Sequence, residues 1–242
     1  MTDVLSNVKG KITDRRPACW KILDRIKEMM QSGALQAGDR MPSEDEFAEA
    51  FGVSRGTVRE AMKILSAYGI VEIRRGDGTY VASEPSSLAF EPLLFSFLLM
   101  RPDLTSLIGF REAIESEVLE MILKRGDDAV LEPVRTALEH MREKARAEQC
   151  PVEDYTDLDL EYHRALAAAC GNPLMERMYT FLLEFFKPFI QTTYREERNI
   201  QSALRLHEEI LDALATGDPA RCRETVTHSL DVWHQLNEKW RG

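Results

Sequence analysis

With 242 residues, the chain can form one large domain or two small ones. Its 44% hydrophobic and 30% charged residues fit a soluble globular protein, and no stretch nears the roughly 18 uncharged apolar residues that a membrane helix needs. The net charge of -10 excludes a uniformly basic nucleic-acid binder, but it is unevenly spread: residues 1–82 carry 13 Lys+Arg against 12 Asp+Glu, and residues 83–242 carry 18 against 29.

The N-terminal MTDVLSNVKGKITDRR lacks the apolar core of a signal peptide, which predicts a cytoplasmic protein. Cys19, Cys150, Cys170 and Cys222 are scattered and form no CxxC pair, so reduced thiols are expected rather than disulfides or a thiolate zinc site. From Ala18 to Met30 the apolar positions Trp20, Ile22, Leu23, Ile26, Met29 and Met30 recur at helical spacing. In PSEDEFAEAFG, Ser43 followed by Glu46 is a capping box, and Gly52 is placed to end the helix. Ser54 then caps a second helix, SRGTVREAMKILSAYG. Val58, Ala61, Met62 and Leu65 make its apolar face, while Arg55, Arg59 and Lys63 form a basic stripe.

Two short helices joined by a tight turn have the shape of a helix-turn-helix, whose second helix enters the major groove. In isolation the stripe reads equally well as a solvated face. The next segment, IVEIRRGDGTYV, favours the DNA reading. It predicts a hairpin around Gly76-Asp77-Gly78, with Arg74 and Arg75 bringing positive charge to its tip.

Residues 18–82, above all GALQAGDRMPSEDEFAEAFGVSRGTVREAMKILSAYGIVEIRRGDGTYV, resemble the winged helix of the GntR family of bacterial transcription regulators. The resemblance implies that Ser54, Arg55, Thr57 and Arg59 contact DNA and that Gly76 approaches the minor groove. Some members use an arginine just after the PSE segment on DNA; this chain has Asp45 there, which implies a different preferred operator. Arg59 also has Glu46 and Glu60 nearby in sequence, which suggests a partly structural role.

SEPSSLAFEP reads as a linker, and LLFSFLLM as a short helix packing the head against the body. Helical periodicities then run over 104–125, 128–149, 154–170, 173–198, 200–216 and 219–240, with Asn172 and Asp218 as N-caps before prolines. The predicted fold is mostly α: a winged helix-turn-helix of three helices plus a β-hairpin (1–82), a linker with a short helix (83–101), and an all-α antiparallel bundle of about six to seven helices (102–242). Trp20, Trp233 and Trp240 read as core or interface, and His140 and His234 as surface residues.

In DLDLEYHRAL, Asp159 and His163 stand at i and i+4 and emerge from one helix face. His207 and His228 lie on the last two predicted helices. Three imidazoles and a carboxylate suit zinc, nickel or manganese, although helical histidines are more often ordinary surface or core residues. The segments FREAIE, DLDLEYHRAL, GNPL, HEEIL and THSL resemble the helical FCD domain of the FadR branch of GntR regulators. That resemblance implies a divalent metal held by Asp159, His163, His207 and His228, with Arg111 anchoring an effector carboxylate. It argues against an acyl-CoA effector, because the acyl-CoA-responsive member lacks the metal ligands. The expectation is a homodimeric repressor of a palindromic DNA operator, released by a small organic acid. A metal-sensing repressor is the main alternative, and a metal-dependent enzyme a weaker one, since no additional base accompanies the ligands.

Overall fold

The computed structural model describes residues 16–84, 86–146, 151–195 and 197–234. Cys150, Trp240, the first fifteen residues and the predicted helical stretch beyond 234 lie outside these. Two compact units divide between Leu99 and Met100.

The first unit holds α1 (Ala18–Gln31), α2 (Glu44–Phe51), α3 (Arg55–Ala67) and a hairpin of β1 (Val71–Arg74) and β2 (Gly78–Val81). The predicted punctuation forms as local hydrogen bonds. Ser43 and Glu46 close a reciprocal capping box, Gly52 ends α2 in the left-handed conformation, and Ser54 caps α3 by accepting from the Thr57 amide. The hairpin is antiparallel with Val71 opposite Val81 and Arg74 opposite Gly78, so both valines turn inward under α3. At Gly69, φ is +65°, and a Cβ would sit 2.3 Å from that of Ser86; only glycine lets the chain leave α3 there.

The core of this unit is one apolar cluster in which Ile22, Ile26, Phe47, Val58 and Ala61 are all but fully buried. Phe47 stacks on Phe51 at 5.3 Å between ring centroids. Phe47→Ala would leave a cavity at the point where α1, α2 and α3 meet. We expect it to cost the head about 3–5 kcal/mol, read as a lowered denaturant midpoint with unchanged slope.

α4 (Glu91–Met100) forms where the apolar linker segment predicts it, but none of its residues is buried; Leu99 is 84% exposed. The second unit is an all-helical bundle: α5 (Leu104–Arg125), α6 (Glu132–Ala145), α7 (Val152–Ala169), α8 (Pro173–Tyr194), α9 (Glu197–Thr216) and α10 (Pro219–Ser229). The expected mostly-α class with a winged helix-turn-helix is the observed one. α6 starts later than its periodicity predicts, after a 3-10 turn over Asp128–Leu131. Pro133 has no amide with which to continue an α-helix from that turn. Asn172 and Asp218 cap α8 and α10 as predicted, each followed by a proline. Cys19, Cys170 and Cys222 are free and buried. Trp233 is buried, whereas Trp20 is 45% exposed. Among the described residues, no helix is long and apolar enough to cross a membrane.

Candidate functional site

Two places carry functional chemistry, one in each unit. In the first, α3 presents its polar side to solvent. Arg55 and Arg59 are more than half exposed, and Lys63, one turn further on, is exposed as well. Ser54 and Thr57 at the helix start share a 2.8 Å hydrogen bond between their hydroxyls. The predicted partner of Arg59 was Glu46 or Glu60; its actual partner is Glu44, the first residue of α2. On the hairpin, Arg74 pairs with Glu72 at 2.9 Å and lies over the Tyr80 ring at 4.2 Å. Arg75 is exposed, and Gly76 has φ +77° with open space around its α-carbon. Arg40 escaped the sequence reading; its guanidinium donates to the Asp77 carbonyl and ties the hairpin tip to the head.

In the second unit, α7 and α9 set three ionisable groups around one point. Tyr162 of α7 stacks on the His207 ring at 4.1 Å, and its hydroxyl donates to the His207 carbonyl at 3.0 Å. That contact fixes the register of α9 on α7. Asp159, His163 and His207 are all buried, and one donor atom of each lies within 4.8 Å of the others. His207 Nε2 is 3.4 Å from Asp159 Oδ1, and His163 Nε2 is 3.9 Å from Asp159 Oδ2.

Burial sets the protonation of these groups. Burial, reinforced by the nearby Arg111 charge, holds the His163 imidazole well below its usual pKa. Burial and the neighbouring His163 do the same for His207, so both rings are neutral near pH 7. Burial pushes Asp159 up to about 6, against the pull of Arg111 and a hydrogen bond from Tyr194. A guanidinium only donates, so the 3.0 Å contact of Arg111 Nη2 with His163 Nε2 makes Nε2 the acceptor, and a metal ion taking that lone pair would displace this hydrogen bond. The His163 proton is therefore on Nδ1, directed to the Tyr179 hydroxyl at 2.8 Å, with Glu115 Oε1 3.6 Å from the same nitrogen. This contact orients the His163 ring, as outer-shell partners orient metal-bound histidines.

The donor set fits a divalent transition metal. Two ligands about 2.1 Å from one ion lie roughly 3–3.5 Å apart at tetrahedral or octahedral angles; the 3.4 Å between His207 and Asp159 matches this, and the 3.9 Å between His163 and Asp159 would have to close on binding.

His228 does not join them. Its side chain is 56% exposed and pairs with Glu209 at 3.1 Å. On α10 and just past it, Cys222, Val226, Leu230 and Trp233 face inward, and His228 is two residues from Val226, about 200° around the helix. The next residue, Ser229, lines the cavity instead. We expect His228→Ala to leave zinc affinity unchanged in a chelator-competition titration, while His207→Ala abolishes high-affinity binding. Loss of the site in His228→Ala would place the fourth ligand on α10 after all.

Arg111 lies against the same cavity, where Thr193, Asn199, Ser202 and Ser229 add polar groups. Burial works against its charge, but Glu115, with an Nε–Oε2 distance of 3.2 Å, leads the groups that hold it firmly protonated. Phe186 and Trp233 flank the guanidinium at 5.7 and 5.5 Å. Glu115, Tyr179, Tyr194 and Ser229 were not singled out from sequence. Glu115 alone carried a signal, one turn after Arg111 on α5.

Residues 20–81 match the gntR family of bacterial regulatory proteins, and residues 106–232 match the FCD domain. The chain is 29% identical over 203 residues to the HTH-type transcriptional regulator LutR of Bacillus subtilis (strain 168), covering 82% of this chain and 91% of that one. It is 29% identical to the Exu regulon transcriptional regulator of Escherichia coli (strain K12), covering 93% and 84%. It is 27% identical to the HTH-type transcriptional repressor NanR of Cronobacter sakazakii (strain ATCC BAA-894), covering 97% and 94%. Among solved structures, Streptococcus agalactiae GntR shares the fold, with a TM-score of 0.60 at 22% identity over 90% of this chain and 99% of that one.

Proposed function

Because the chain belongs to the GntR family of bacterial regulatory proteins and carries that family's FCD domain, we propose that it is a cytoplasmic repressor released from its operator by a small carboxylate. The observation that carries this reading is a single cavity bordered by Arg111 and by the Asp159, His163 and His207 donors. Two of the five N–H donors of Arg111 serve Glu115 and His163, which leaves part of the fork to meet an anion. A divalent ion bound by the three donors would offer open coordination positions to the same carboxylate. Thr193, Asn199 and Ser202 add partners for ligand hydroxyls, which favours a hydroxy acid or sugar acid over a plain fatty acid.

On the DNA side, Ser54, Arg55, Thr57, Arg59 and Lys63 of α3 would meet the major groove, and Arg74, Arg75 and Gly76 of the hairpin a neighbouring groove. A homodimer would set two such heads at the half-sites of a palindromic operator, and effector binding would shift their separation.

The test begins with a duplex selected by the protein from a randomised library. Its affinity is measured by fluorescence anisotropy with a panel of two- to six-carbon hydroxy and sugar acids, with and without a chelator. Release by one acid, lost on chelation, supports the proposal. Affinity that follows free zinc or nickel with no acid would instead make this a metal sensor. Indifference to both would remove the effector reading and leave only a DNA-binding regulator.

A further inference from the structure

Glu44 joins both arginines of the α3 face. Arg59 grips it with two nitrogens, Nη2 to Oε2 at 2.8 Å and Nε to Oε1 and Oε2 at 3.2 and 3.1 Å. Arg55 Nε also reaches Oε2, at 3.2 Å, and its Nη1 lies 3.4 Å from Asp45. The start of α2 does not need this carboxylate, because Ser43 and Glu46 satisfy the cap between them. A hydrogen bond from Arg59, outweighing partial burial, holds Glu44 below the usual carboxylate range, so it is ionised wherever the protein would meet DNA.

The choice of nitrogens matters. A guanidinium has two edges that can grip a planar acceptor: the side edge of Nε with one Nη, and the end edge of both Nη. Arg59 gives Glu44 its side edge. The end edge remains, and it is the pair of donors that matches O6 and N7 of guanine. The carboxylate therefore locks the plane of Arg59 while leaving its base-reading edge open. It also cancels about one of the two positive charges at this corner, so phosphates of any sequence attract it less.

We propose that Glu44 is a positioning residue that sets operator specificity. It aims Arg59 at a base and suppresses binding to non-operator DNA. The inference rests on the reading of Arg55 and Arg59 as DNA contacts.

The test compares full-length wild type with Glu44→Gln on two probes: a duplex of random sequence, and the duplex that wild type selects from a randomised library. The variant is expected to bind the random duplex several-fold more tightly, with a salt slope steeper by about one per subunit. Binding to the selected duplex should not improve, so the ratio of the two affinities falls about tenfold, the scale of one misaimed bidentate contact. Glu44→Asp should restore part of the ratio. The thermal midpoint should not move, since the capping box is intact.

Tighter non-specific binding is a change that a merely damaged head cannot produce. An unchanged ratio and slope, or equal losses on both probes, would overturn the proposal. Arg55→Ala and Arg59→Ala serve as the separate check. If neither weakens wild-type binding, the contact reading itself fails; if both do while Glu44→Gln changes nothing, only the role of Glu44 fails.

Discussion

Arg59→Ala is expected to weaken operator binding by about 2–6 kcal/mol per dimer, or roughly thirtyfold at the least. A bidentate arginine–guanine contact discriminates by about 1–3 kcal/mol, and a two-fold symmetric dimer places one in each half-site. The fold should not suffer. Arg59 is half exposed, its ion pair is on the surface, and Glu44 keeps Arg55 as a partner. Lys63→Ala is the informative contrast. A lysine on the outer part of α3 suits a phosphate, so its loss should lower affinity evenly across sequences and flatten the salt dependence by about one charge per subunit. Titrations at three salt concentrations on selected and random duplexes separate the two. A uniform, salt-dependent loss in Arg59→Ala would reassign it to the phosphate backbone.

How much of this was legible in the sequence depended on how local the physics is. The capping box at Ser43, the αL glycine at Gly52, the hairpin tip at Gly76 and the Asn172 and Asp218 caps are settled by neighbours a few residues away, and the chain states them openly. Long-range partners were hidden. That Arg59 bonds Glu44, fifteen residues back on another helix, depends on the crossing of α2 over α3. The contacts of His163 with Tyr179 of α8 and Arg111 of α5 join three helices and leave no spacing to read.

His228 is the more instructive case. The inward phase of Cys222, Val226, Leu230 and Trp233 was present in the sequence and already places residue 228 outside. The family resemblance matched His228, but it is the next residue, Ser229, about 100° further around the helix, that lines the cavity.

Arg111→Met is expected to abolish the response to any carboxylate effector and to lower the melting midpoint of the protein by roughly 10 °C. The second effect follows from the ion pair. Arg111 and Glu115 are 5% and 0% exposed, and removing the cation leaves the carboxylate facing the interior alone, which costs about 3–5 kcal/mol. That loss would make the first effect ambiguous, because an unstable bundle also fails to respond. Arg111→Met, Glu115→Met resolves it. With both charges replaced by apolar side chains of similar volume, most of the stability should return, as it does when buried ion pairs are exchanged whole. The three candidate metal donors are untouched, so zinc taken up on loading should match wild type in both variants. The double variant should therefore be stable, metal-loaded, able to bind the operator and deaf to the effector. A double variant that regains stability and still releases DNA on addition of the acid would show that the anion is held elsewhere, and Arg111 would be left as half of a structural pair that steadies His163.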